Sequence, residues 1–210
     1  MKIVVFGATG GTGKQVIERA LVAGHDVVAV ARDPSKVAAR DRVTAVKGDV
    51  LDAASCVAAV QGADAAISAI GPADDKNPGT LMSVGTANMV AACTQANVAR
   101  FVFESGLMLS SGAELSLVSR LGIGVFKRLV KKLHDDKVIA ERSITASTLD
   151  WVIVRPPGLK DGAFTGTYLA GPLARVNATK TLAFGDVADA RVKAAASAEW
   201  SKKIVNVGHA

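Results

Sequence analysis

Short apolar runs alternate along this chain with longer stretches in which apolar positions recur every three or four residues. Lys2–Phe6, Asp26–Ala31, Val43–Lys47, Asp64–Ile70, Arg100–Glu104 and Trp151–Arg155 are each apolar runs bounded by turn residues. That pattern predicts parallel strands covered on both faces. Between the first two, Thr12–Ala23 sets Val16, Ile17, Ala20 and Leu21 on one helical stripe, and Gly24 stands where such a helix ends. Ala53–Val60 and Thr80–Ala96 repeat the helical pattern, the second with Gly85 and several alanines that permit close packing. A last helix is expected over Val187–Ser197 and a closing strand over Lys203–Val207. Repeated strand–helix–strand units imply right-handed crossovers, hence an α/β fold with a doubly wound parallel sheet of the Rossmann type. No internal repeat and no linker divides the chain, so residues 1–210 are expected to form a single domain.

The alternation loosens twice. From Leu107 to Lys132 the chain is apolar and basic and is interrupted by Gly106, Gly112, Gly122 and Gly124. The expectation there is a flexible segment and then one helix from about Val125 to Arg142. Pro156–Lys180 reads as a second irregular stretch. Long segments that follow the fifth and sixth strands of such a sheet are where a substrate site is built.

Gly7-Ala8-Thr9-Gly10-Gly11-Thr12-Gly13 follows the first strand directly and opens the first helix. Gly7, Gly10 and Gly13 permit a tight turn, a close backbone approach to a pyrophosphate, and close packing of helix on sheet. The free N–H groups and the helix dipole then hold phosphates, which leads to a nicotinamide dinucleotide as cofactor, with Thr9, Gly11 and Thr12 in the same cradle. The second strand ends in Arg32-Asp33-Pro34-Ser35-Lys36. Arg32 can fork onto a ribose 2′-phosphate, with Ser35 and Lys36 adding contacts, which points to NADP(H). The alternative is that Asp33 binds a free ribose hydroxyl, although Asp followed by Pro also suits a helix cap. Asp49 and Val50 are expected beside the adenine and Asp52 as the cap of the following helix. The segment Ser68-Ala69-Ile70-Gly71 is expected beside a ribose, with Ile70 and Gly71 in contact.

Composition narrows the partners. Half the residues are apolar, aromatics make up 4%, and the net charge is +6. So few aromatics argue against a surface that stacks nucleobases, so no nucleic acid is expected. The modest positive charge suits a small anionic ligand. Cys56 and Cys93 lie in apolar surroundings and read as core residues of a reducing compartment. His25, His134 and His209 have no ligand spacing, so no metal is expected. Neither a leader peptide nor a run of roughly 18 apolar residues is seen, which leads to a cytoplasmic protein with no membrane partner.

Together the glycine turn, the ARDPSKV stretch, GDVLD, DAAISAIG, ARFVFESG, and K-V-I-A-E followed by LDWVIVRPPGL resemble the atypical short-chain dehydrogenase/reductases. Within these the chain is similar to the flavin reductase/biliverdin-IXβ reductase group and to the NmrA-like proteins. The resemblance implies Ser105 near the nicotinamide and Lys137, four residues before Glu141, under its ribose; these are the two catalytic candidates. It also implies that Pro156, Pro157 and Gly158 shape the nicotinamide face. Leu133 stands where the usual Tyr-x-x-x-Lys acid would carry its tyrosine, and Gly158 where biliverdin-type relatives carry a histidine.

Without that tyrosine a developing alkoxide lacks its proton donor. A flavin or quinone that accepts hydride becomes a delocalised anion that water can protonate, so ring alignment suffices. NADPH-dependent reduction of a small-molecule acceptor, FMN, FAD or a quinone, is therefore expected. The alternative is an NADP-binding regulator that has a protein partner and no turnover. Ser105 can bond the acceptor or the nicotinamide amide, or merely end its strand. Glu104 is a second candidate acid, but neighbours on a strand face opposite ways, and Ser105 is favoured for the cleft. Lys127, Arg128, Lys131 and Lys132 either guide an anionic acceptor or form a solvated helix face. Tyr168, the only tyrosine, is placed in a mobile loop at the cleft mouth and not assigned as the acid.

Overall fold

The computed structural model describes residues 1–110, 117–172 and 174–210, with side chains described throughout these except at 117–122. β1 (Lys2–Phe6), β2 (Asp26–Ala31), β3 (Val43–Lys47), β4 (Ala65–Ser68), β5 (Arg100–Glu104) and β6 (Trp151–Arg155) pair in parallel. β10 (Lys203–Gly208) joins β6 in parallel, and β8 (Leu169–Gly171) closes the far edge antiparallel to β10. The strand order is β3-β2-β1-β4-β5-β6-β10-β8, so the winding reverses between β1 and β4. At such a reversal the loops leave in opposite directions and open a crevice at the carboxyl ends of the strands.

Successive strand side chains alternate between faces and build two cores. Val4 and Phe6 of β1 pack with α2 (Ala53–Ala59), α3 (Leu81–Gln95) and α5 (Lys131–Thr145), through residues such as Cys56, Met89, Cys93 and Ile144. Ile3 and Val5 pack on the other face with α1 (Gly11–Val22) and α6 (Phe184–Ala196), through Val16, Ala20, Val187 and Ala190. The fold is thus a single α/β domain of the Rossmann type. Asp33 caps the turn at Pro34–Lys36 and Asp52 caps α2, each by accepting a backbone N–H two residues on.

Four expectations need correction. β3 is an edge strand, largely exposed, because no neighbour or helix covers its outer side. The single helix expected over Val125–Arg142 is two, α4 (Leu117–Leu129) and α5, broken where Val130 leaves helical geometry at φ −115° and ψ 35°. The expected flexible stretch opens with a 3₁₀ turn at Leu107–Leu109, while its Gly112 lies outside the described residues. Pro156–Lys180 is not wholly irregular: besides β8 it contains β7 (Leu159–Lys160), which pairs in parallel with β9 (Leu182–Ala183). Strands of two or three residues carry too little alternation to be read from pattern.

Candidate functional site

A cleft of about 1280 Å³ runs along the carboxyl ends of β1, β2, β4, β5 and β6. Its floor is the glycine turn. Gly7 has φ +79°, and a Cβ there would stand 2.6 Å from the Ala69 carbonyl oxygen. A Cβ on Gly13 would meet the Gly7 oxygen at 2.1 Å, so helix and strand close onto each other only without side chains. Gly11 lies as tightly under the ring of Phe184, 2.4 Å from a built Cβ. Gly10 begins α1 with no side-chain cap, so the first-turn N–H groups of Gly11, Thr12 and Gly13 have no intrahelical acceptor. Thr9, Gly10, Gly11 and Thr12 face the cleft, whereas Gly13 packs beneath it. Donors without an intrahelical acceptor at a helix start, beside a glycine turn open to the cleft, form an anion cradle.

At the β2 end, Arg32 lines the cleft, is exposed, and has no hydrogen bond or ion pair among the described residues. The adjacent carboxylate is turned away from it. Asp33 accepts from the Ser35 N–H at 3.2 Å and hydroxyl at 2.6 Å and lies 3.7 Å from Lys36. The Ser35 hydroxyl, aided by Lys36, holds its carboxyl below the usual range. Lys36 is therefore paired with Asp33 and does not reach the cleft lining, unlike the other expected cofactor contacts above it. Asp49, Val50, Ile70 and Gly71 all line it, with the Asp49 carboxylate accepting from the Leu51 N–H at 3.0 Å.

At the other end Ser105, Lys137, Pro156, Pro157 and Gly158 come together. The Lys137 ammonium donates to the Ser105 carbonyl oxygen at 2.8 Å. Burial pushes its pKa down, opposed first by the Glu104 charge and then by Asp75 and Glu141. Ser105 is 3% exposed and its hydroxyl has no hydrogen-bond partner among the described residues. A buried hydroxyl left open beside a cleft fits an amide or ring oxygen delivered by a ligand. Glu104 also contributes to the lining, contrary to the expectation that only Ser105 would. Its carboxylate accepts from Arg191 at 2.7 Å. Glu141 makes a two-pronged pair with Arg155, at 3.1 and 2.5 Å. Leu133, buried at 4%, fills the wall near Lys137, with Leu107, Met108, Ile123, Phe126 and Leu159 completing an apolar surround.

Tyr168 is not at the cleft mouth. Its hydroxyl donates to Asp189 at 2.6 Å and accepts from Lys193 at 3.1 Å, outside the cleft lining and against the α1–α6 core. Burial and the bond to Asp189 push its pKa up to about 12. Of the basic run, Lys131 pairs with Asp135 and Lys132 donates to Asn77 at 3.2 Å, and none of the four lines the cleft.

Sequence reasoning missed two positioning groups. Asp136, buried in α5, accepts from the Met82 and Ser83 N–H groups at 2.8 and 3.1 Å and so caps α3 from a neighbouring helix. Arg191, fully buried in α6, ties Glu104 of β5 to the Ser68 carbonyl of β4. Nothing in the sequence singled it out, since α6 also carries Asp186, Asp189 and Lys193. Among the described residues no cluster of three or more His, Cys, Asp or Glu could hold a metal, and no helix is long and apolar enough to cross a membrane.

Comparison with known proteins gives the same picture. A family profile described as NAD(P)H-binding matches residues 7–198. An uncharacterized chloroplastic protein of Arabidopsis thaliana is 33% identical over 98% of this chain and 76% of its own length. Other curated relatives are longer, the chain spanning 47% and 46% of two of them. An anaerobilin reductase of Escherichia coli superposes with a TM-score of 0.75 and 26% identity, over 100% of this chain and 97% of its own. A short-chain dehydrogenase/reductase of Veillonella parvula solved with NADP reaches 0.81 over 99% and 94%, and at 18% identity that likeness speaks for the fold.

Proposed function

Since the chain belongs to the NAD(P)H-binding family of oxidoreductases, we propose that it is an NADPH-dependent reductase whose acceptor is a flavin or a quinone. The observation that carries the reading is the apolar wall at the Lys137 end. Leu133 closes the place from which a tyrosine would protonate an alkoxide, and mostly aliphatic side chains with the ring of Phe126 line the rest. The first-turn N–H groups of α1 hold the pyrophosphate, and Arg32, free and exposed, reads the 2′-phosphate. Asp49, Val50, Ile70 and Gly71 then flank the adenosine half.

When bound, the cofactor supplies a hydride. Lys137, fixed on the Ser105 carbonyl, would have its remaining protons to donate to ribose hydroxyls of the bound cofactor. The Ser105 hydroxyl would donate to the nicotinamide amide or to an acceptor oxygen, which would satisfy a buried group that has no partner among the described residues. Pro156, Pro157 and Gly158 would flank the nicotinamide face and help hold the ring against the acceptor. Water completes the protonation of the reduced acceptor. Glu104 is held by Arg191, and Tyr168 lies on the far side of the sheet from this wall, so neither is cast as the acid.

Steady-state NADPH oxidation with FMN, FAD and a small benzoquinone, beside a panel of aldehydes, tests this reading. Turnover is expected with at least one of the former and background rates with the latter. Robust aldehyde reduction would overturn it and make Glu104 the first suspect. Tight NADPH binding without turnover of any acceptor would favour an NADP-binding regulator instead.

A further inference from the structure

Three exposed apolar side chains cluster on the last two turns of α4: Val125 at 63%, Phe126 at 47% and Leu129 at 67% exposure. With roughly 3.6 residues per turn, Val125 and Leu129 fall one turn apart on the same row and Phe126 on the row beside it. The patch is bordered by cations. Arg128 follows on the exposed side, Lys127 flanks the opposite edge, and Lys131 and Lys132 continue from the start of α5. Lys127 and Arg128 have no hydrogen bond or ion pair among the described residues. Phe126 belongs at once to this patch and to the lining of the cleft, as does its half-buried neighbour Ile123.

We propose that this face of α4 docks on an anionic lipid surface. An apolar row flanked by lysine and arginine is the pattern of a helix that lies in the plane of a bilayer, with its apolar side among the acyl chains and its cations among the headgroups. No helix long enough to span is needed for that geometry. The charges also argue against a second copy of the chain as the occupant, since a two-fold contact through this patch would set the same cations against one another. Docking presents the cleft mouth to the bilayer through Phe126, which makes a lipid-soluble acceptor of the quinone type the substrate met there. That last step alone rests on the reductase reading.

Cosedimentation with vesicles is the test, using phosphatidylcholine alone and phosphatidylcholine with roughly one third phosphatidylglycerol, at low and high salt. The full chain should bind the anionic vesicles at least about tenfold more tightly than the neutral ones and lose most of that preference in high salt. Leu129→Glu and Arg128→Glu should each weaken binding by about fivefold or more, with NADPH affinity and circular dichroism unchanged. Neither residue lines the cleft, and both are exposed, so folding is not at stake. Absence of binding, or equal binding by wild type and both variants, would overturn the proposal. So would a chain that is dimeric by light scattering, becomes monomeric in Leu129→Glu, and ignores vesicles. Vesicle binding without NADPH oxidation by any acceptor would keep the docking surface and overturn the reductase reading instead.

Discussion

Replacing Arg32 by Ala should convert a cofactor preference into near indifference. The guanidinium stands exposed at the carboxyl end of β2, lines the cleft, and has no hydrogen bond or ion pair among the described residues, so its removal leaves no unpaired partner among them. The cost is then the lost contact alone. A charge-assisted hydrogen bond contributes about 1.5–3 kcal/mol, and a forked one to phosphate lies toward the top of that range. Exposure to solvent screens the pair and brings the expectation toward the lower end. The predicted loss of NADPH affinity is therefore about 10- to 100-fold, against less than about threefold for NADH, which lacks the phosphate. Titration of both reduced cofactors by nicotinamide fluorescence, for wild type and Arg32→Ala, measures the two ratios directly. Arg32→Lys should recover part of the NADPH loss, since charge returns without the fork. Lys36→Ala should change either affinity less than about threefold, because Lys36 is held by Asp33 and stands off the cleft lining. Equal losses for NADPH and NADH in Arg32→Ala would refute the reasoning.

Three further outcomes follow from the geometry. Tyr168→Phe should alter turnover by less than about tenfold, below the usual worth of a general acid, while lowering the urea midpoint through the lost bond to Asp189; a hundredfold fall in turnover would contradict this. Asp136→Ala removes the cap on α3 and should cost about 1–2 kcal/mol in urea unfolding with NADPH affinity little changed, and an unchanged midpoint would show that the cap is idle. Burial lowers the Lys137 pKa below its unfolded value, so the folded chain releases that proton first as pH rises. The burial penalty on stability is thus full below the folded pKa and relieved between it and the ordinary lysine range. NADPH affinity should fall over the same alkaline window, short of the ordinary lysine range, and Lys137→Met should show a flat profile there; a wild-type profile that is flat to beyond that range would contradict the placement.

The parts of the fold set by repetition were readable from the chain. Buried strands such as β1 and β5 are continuous apolar runs, and α1 carries a full stripe between a glycine turn and Gly24. The glycine turn was recognisable for a related reason, since Gly7 and Gly13 are demanded by backbone contacts a Cβ would violate, whereas Gly10 leaves room for one. What pattern did not reveal depends on tertiary contact. Val130 breaks a helix that periodicity alone would continue, and β7, β8 and β9 exist because partners distant in sequence pair with them. Asp136 and Arg191 satisfy groups on other elements, and nothing local to them says which. Tyr168 read as part of a mobile loop at the cleft mouth, whereas Asp189 and Lys193, one and two turns into α6, fix it to the opposite side of the sheet.

The central claim is that this cleft passes hydride from NADPH to a flat acceptor that needs no protein acid. Mixing the chain anaerobically with one equivalent of NADPH, and then with excess benzoquinone, FMN or an aldehyde, isolates that step from product release. The account predicts rapid loss of reduced-nicotinamide absorbance with the quinone or the flavin and none above the enzyme-free rate with the aldehyde. Loss with the aldehyde alone, or with no acceptor at all, would contradict it.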